Sequence, residues 1–238
     1  MFIRKKVDSK IILKRVVLLF SLSIFFIGLS YFSFLPVIIK AANTGTATPT
    51  LEVTGELNVT SPGVIILQNS IPGMTGNYGN PASGTATFTV TSNSVTGFTM
   101  TLSSASDSNS LATDSYYFSD YDATTTPDYS WISPSVGSGT FGFAIGASGI
   151  EGADASQAFK NNGGVCNISG GTNTAAYCWR GFTGTLSAPV QVINRNTASD
   201  VNGTSETVVF QAEYHGGTGY YMTSGTYTAT ITATLAAQ

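Results

Sequence analysis

Charge is scarce in this sequence. Asp, Glu, Lys and Arg make up 10% of its 238 residues, against roughly a quarter in an ordinary soluble domain. There is one histidine, His215, and there are two cysteines, Cys166 and Cys178. Ten Lys and Arg in all do not supply the clustered positive surface that nucleic-acid binding requires. A single imidazole confines Ser-His-Asp chemistry to His215, and no Gly-x-Ser-x-Gly run surrounds a serine, as a nucleophile elbow would need. Two cysteines and a distant histidine are too few for a zinc site. The 26 glycines follow no three-residue period, which removes a collagen-like reading. What fills the space is hydroxyl: 33 Thr and 28 Ser.

The few charges are unevenly placed. Seven of the ten basic residues lie in the first 40 positions, while the chain from Asn43 onward carries three basic residues against twelve acidic ones, a net charge of −9. An acidic surface of this kind repels nucleic acid and anionic polymers. The basic residues 1–15 precede an apolar run from Val16 to Ile39, broken only by small hydroxyls, Tyr31, Gly28 and Pro36. A charged start followed by an apolar stretch is the pattern of a secretory leader. At about 24 residues the run is also long enough to span a bilayer as a helix. Residues 1–42 are therefore read as a cleaved signal peptide or as an N-terminal membrane anchor with its basic end inside. Both readings put the remainder outside the cytoplasm, and membrane contact is expected only through this segment.

Residues 43–50 are small and polar and read as a linker. Residues 51–238 are expected to form one β-sandwich. Period-two alternation, which sends one set of side chains to a core and the other to water, recurs through Thr85–Thr91, Phe98–Ser103, Phe141–Gly146, Thr207–Tyr214 and Thr226–Leu235. Shorter strand candidates are Leu51–Val59, Val64–Gln68, Tyr116–Tyr121, Ala176–Phe182 and Val190–Arg195. Gly152–Asn161 is the nearest approach to a helical turn. About ten strands without a real helix predict an all-β fold of two mostly antiparallel sheets packed face to face. The last strand is expected to follow Val208–Tyr214 as a hairpin.

In an exported chain, two cysteines twelve positions apart are expected to pair. Exposed aromatics can stack on sugar rings, so Tyr116, Tyr117, Tyr121, Tyr129, Tyr220 and Tyr221 are candidate ligand-binding residues. Trp131 and Trp179 are expected in the interior. The stretch Asp107–Asp128 holds five Asp but lacks the spacing of a calcium loop. It reads as a solvated acidic loop, with weak calcium binding the alternative. No metal site, catalytic residue or cofactor is assigned.

The segments Gly97-Phe98-Thr99-Met100-Thr101-Leu102 and Gly225-Thr226-Tyr227-Thr228-Ala229-Thr230-Ile231-Thr232-Ala233-Thr234-Leu235 resemble the WxL-type surface domains of Gram-positive bacteria. Phe98 and Ala233 stand where that family has its defining tryptophans. The resemblance implies an exported β-rich domain associated with the cell wall.

The expected function is thus that of an exported bacterial cell-surface or cell-wall-associated structural or interaction protein without catalysis. Its partners would be wall or surface polysaccharide or other surface proteins. A carbohydrate-binding module using the tyrosine loops is the alternative. A small hydrolase built on two carboxylates, which would be assembled in space rather than in sequence, is the third reading.

Overall fold

A computed structural model describes residue 21 and residues 50–106, 109–122, 127–146, 154–171, 177–182 and 189–238. The expected leader helix therefore lies outside the described residues, apart from Ser21. Among the described residues no helix is long and apolar enough to cross a membrane.

Among the described residues ten strands form in chain order: β1 (Leu57–Thr60), β2 (Ala82–Ser92), β3 (Phe98–Ser104), β4 (Leu111–Ala112), β5 (Tyr117–Asp120), β6 (Ser138–Ile145), β7 (Tyr177–Arg180), β8 (Val190–Arg195), β9 (Thr204–His215) and β10 (Ile231–Ala237). A 3-10 turn, Gln157–Phe159, falls inside the segment 152–161 that read as the nearest approach to a helical turn. Seven strands make the larger sheet in the order β1-β2-β9-β6-β5-β4, with β7 also paired to β6. Three make the smaller sheet, β10-β3-β8. Every pairing is antiparallel except β5 with β6. The fold is all-β, as the alternation predicts.

The alternation fixes which face is which. On β2, Ala86, Phe88 and Val90 are buried while Thr85, Thr87 and Thr91 are exposed. The hydroxyls pair across the outer face: Thr87 with Thr207 at 3.2 Å and Thr89 with Ser205 at 3.0 Å, a recognised mode of cross-strand stabilisation. The inner faces of both sheets share one core. Phe98, Met100 and Leu102 of β3 are fully buried, each stabilising the fold by about 1.5–3 kcal/mol. Opposite them Phe143 stacks on Phe182 at 4.6 Å and lies 5.7 Å from Phe159. A second, smaller cluster of Tyr121, Ala144 and Trp179, flanked by Trp131, covers part of the outer face.

Cys166 and Cys178 are bonded, with their Cα atoms 5.7 Å apart. The bond ties the 155–171 loop to β7. Closing a loop of this length stabilises the fold by about 3 kcal/mol in the chain-entropy model.

The last strand departs from expectation. β10 does not form a hairpin with β9 but crosses to the smaller sheet and pairs with β3, Ile231 opposite Ser104 and Ala237 opposite Phe98. The long 216–230 connection permits this crossing, and a two-residue hairpin would not. Ile231, Ala233 and Leu235 are half-buried against the core while Thr232 and Thr234 are exposed. β10 is an edge strand, and its removal would transfer the edge to β3. We expect truncation after Thr230 to remove about 1 kcal/mol or more for each half-buried apolar side chain and to open a long β3 edge to other chains. Size-exclusion chromatography should show aggregation, and thermal melts should lose cooperativity. A truncated chain that stays monomeric with an unchanged melting temperature would contradict this.

Candidate functional site

Three loops, residues 69–81, 127–137 and 216–225, meet at one end of the larger sheet. They are held there by the last residues of β9. Glu213 points to the outer face and is 0% exposed. Its Oε2 accepts hydrogen bonds from Trp131 Nε1 at 2.5 Å and Ser133 Oγ at 3.0 Å, and its Oε1 accepts one from the Gly79 amide at 2.6 Å. A carboxyl group buried without such donors would cost several kcal/mol. Two of the three loops are thus fixed by one side chain.

His215, two residues on, fixes the same pair again. Its ring stacks on Tyr78 with centroids 3.9 Å apart. Its Nδ1 lies 3.1 Å from the Pro134 carbonyl. A carbonyl only accepts, so Nδ1 carries the hydrogen. The His215 carbonyl accepts from the Gly137 amide at 2.6 Å. Asn77 closes the first loop onto β9: its amide donates to the Tyr214 carbonyl at 2.9 Å and its Oδ1 accepts from the Tyr214 amide at 2.8 Å. The third loop joins through the Met222 amide, which donates to the Gly73 carbonyl at 2.7 Å. Gly137 adopts φ +84°, and the Tyr220 ring occupies the space a Cβ would need. The third loop therefore also rests on the second.

The side chains these loops present are apolar and aromatic. Tyr78, Tyr220 and Tyr221 are 58%, 54% and 64% exposed, and Met74, Ile132 and Val136 are each more than half exposed. Large apolar groups gathered in solvent mark contact surfaces.

The six candidate tyrosines do not form one group. Tyr220 and Tyr221 belong to the loop cluster. Tyr116 and Tyr117, both exposed, sit at the β4–β5 turn. The register, Ser119 opposite Thr140 and Ser138 opposite His215, places that turn at the same end of the sheet. Tyr117 borders a polar groove of about 570 Å³ with Asn109, Ser110, Asp114, Thr226 and Thr228. Tyr129 is half-buried and stacks on Tyr177 at 4.4 Å. Tyr121 is withdrawn from the surface altogether. It is 4% exposed, stacks on Trp131 at 4.7 Å and bonds through its hydroxyl to Asp128 at 3.0 Å. Burial pushes its phenol pKa up. Trp179 is buried, as expected, and Trp131 half-buried. Tyr78 was not among the candidates. It lies in Gly76-Asn77-Tyr78-Gly79-Asn80, where an aromatic residue inside a turn sequence was the available sign of exposure.

The acidic stretch does not gather its carboxyl groups. Asp128 bonds Tyr121, while Asp120 accepts from the Ser110 amide at 3.0 Å and from Ser110 Oγ at 2.8 Å. Asp107 lies outside the described residues. Among the described residues no three metal-ligating side chains converge. No family model matches the chain, and no curated protein is similar to it.

Two outcomes follow from these buried carboxyl groups. In Glu213→Gln one face of the amide turns donors toward donors, so we expect a loss of about 1–3 kcal/mol, read as a lower denaturation midpoint with the sheet's circular dichroism retained. An unchanged midpoint would show that the loops are held otherwise. Burial, only partly offset by the two Ser110 hydrogen bonds, raises the Asp120 pKa from 3.8 to about 6. The folded chain therefore holds this proton more tightly than the unfolded one. The resulting stabilisation is complete below about pH 4 and lost as pH rises through about 6. In matched-salt melts, the melting temperature of Asp120→Asn relative to the parent should rise from pH 4 to pH 7; a constant difference would contradict the shift.

Proposed function

We propose that this chain is an exported bacterial surface protein that acts by contact rather than catalysis. The contact is made by the tyrosine-bearing end of the sandwich, and the material it meets is polysaccharide of a cell envelope. The observation that carries this reading is the convergence of Tyr78, Tyr220 and Tyr221, each more than half exposed, on loops pinned by Glu213 and His215. Rigid aromatic faces lose little conformational entropy on binding, and sugar rings present C–H faces that stack on them. The neighbouring groove at Tyr117 adds hydroxyl, amide and carboxyl groups of the kind that bond sugar hydroxyls.

Other observations support the surface assignment. A disulfide is compatible with an oxidising, extracellular location. The leader pattern of residues 1–42 fits export, and the net charge of −9 from Asn43 onward disfavours anionic partners. The two segments that resemble WxL-type domains are β3 and the run ending in β10, which are hydrogen-bonded neighbours. Phe98 and Ala233 in place of tryptophan separate this chain from that family's mode of wall attachment.

Sedimentation with insoluble cell-wall polysaccharide tests the reading. The parent domain should be retained. Tyr78→Ala with Tyr220→Ala should weaken retention about tenfold or more, from two lost stacking contacts of about 0.5–1.5 kcal/mol each, while its melt stays cooperative. Failure of the parent domain to bind any envelope polysaccharide would remove the proposal.

A further inference from the structure

The smaller sheet does not cover the whole inner face of the larger one. Beyond β10 a cavity of about 1070 Å³ opens between the inner face of the larger sheet and the 61–74 and 222–230 connections. Native interiors hold few voids larger than a water molecule, and sites for small molecules span about 300–1,000 Å³. A space of this size is therefore ligand-sized.

Its walls divide by chemistry. Phe88, Phe141 and Phe210 come from the larger sheet, Ile231 from β10, and Ile65 and Leu67 from the strap that precedes β2. These side chains are buried or half-buried. Every Ser and Thr of the lining is exposed, from Ser61 and Ser70 on one side to Thr223–Thr230 on the other. The one phenol, Tyr227, already donates its hydroxyl hydrogen to the Thr223 carbonyl at 2.9 Å. Among the described residues the lining contains no Asp, Glu, Lys, Arg or His. The cavity thus has an apolar floor and a neutral hydroxyl rim, and Val64 and Ile66 stand exposed beside the opening.

We propose that this cavity binds a neutral amphiphile, with a single long apolar chain laid against the inner face of the larger sheet and an uncharged, hydroxyl-bearing head at the rim. The apolar floor favours the chain, because an apolar cavity stays dry and takes apolar guests. The head is uncharged because the rim supplies no cation for an anionic one, and the net charge of −9 from Asn43 onward repels it. This site shares the loops 69–81 and 216–225 with the tyrosine end, but its floor lies on the inner face of the larger sheet, and its occupancy does not depend on polysaccharide binding.

The test uses 1-monooleoylglycerol as probe and oleate as its anionic comparison, with the disulfide-intact chain, by native mass spectrometry and calorimetry. The expected result is one monooleoylglycerol per chain, bound more tightly than oleate. Ala212→Leu with Ala229→Leu fills the floor and should reduce affinity at least about tenfold, while the melting temperature stays level or rises. Thr226→Trp, at an exposed rim position, should block the opening with the same loss of affinity and serves if the filled variant does not fold. No binding by the parent chain, equal binding by both variants, or a preference for oleate would overturn the proposal. A concentration-dependent dimer abolished by the floor-filling pair, in place of lipid binding, would overturn it in favour of a segment from a second copy of this chain.

Discussion

The carboxyl group of Glu213 is the point on which one end of the molecule depends. It is fully buried and receives donors from Trp131, Ser133 and Gly79. Breaking any one of these contacts would leave a buried polar group short of a partner, which costs more than the hydrogen bond itself contributes. The loops bearing Tyr78 and Ile132 are therefore held as a pair, and neither can move without the other. Tyr220 is then set by contact with Gly137 on the second loop. A surface assembled from three loops acquires the rigidity of a strand end because one side chain of that strand reaches all but one of them.

The body of the sandwich is built from a simpler rule. A chain with little charge and many threonines still separates an inside from an outside, because β-branched and aromatic residues both suit a pleated strand and alternate along it. Phenylalanine and valine meet in the middle, and threonine hydroxyls pair on the outside. The layers differ in width, seven strands against three. The narrow layer fills the core where β3 lies, and beyond its edge at β10 the larger sheet faces the 61–74 and 222–230 connections across an unfilled region. The same asymmetry that gives a well-packed centre at Phe98, Met100 and Leu102 gives the cavity at Phe141 and Phe210.

Much of this was legible in the sequence; Val64–Gln68 forms only an isolated bridge, Gln68 with Ser83, and two other strand misses share a cause. β8 has the bounds its residues suggested, β2, β3 and β9 contain theirs, and β6 stops at Ile145, one residue short of Gly146. Where an alternating segment fell short of a strand, its neighbour had ended. Thr226–Thr230 alternates like the rest, but β3 stops at Ser104, opposite Ile231. Leu51–Glu56 alternates too, but β2 stops at Ser92, opposite Leu57. Alternation reports what a segment can do, and pairing needs a partner of matching length. At the candidate site the limit was different. Tyr117 and Tyr121 are four residues apart, yet one is exposed and the other buried, because Trp131 folds over the second. Glu213 looked like any outward residue of an alternating strand. Its burial arises from loops that are distant in sequence, which no local pattern records.

The two ends of the sandwich are not equivalent. Leu57 pairs with Ser92, and the Gln238 amide donates to the Gly97 carbonyl at 3.0 Å. Ser92 and Gly97 flank the β2–β3 turn, at the far end of β2 from Ala82 and the tyrosine loops. Leu57 and Gln238 therefore both lie at the end remote from those loops. A pull exerted upstream of Leu57 against a hold at the tyrosines runs along the strand axes. Hydrogen bonds between antiparallel strands lie across that axis, so the β1–β2 ladder is loaded in shear, with its pairs sharing the force, and is not peeled open one pair at a time.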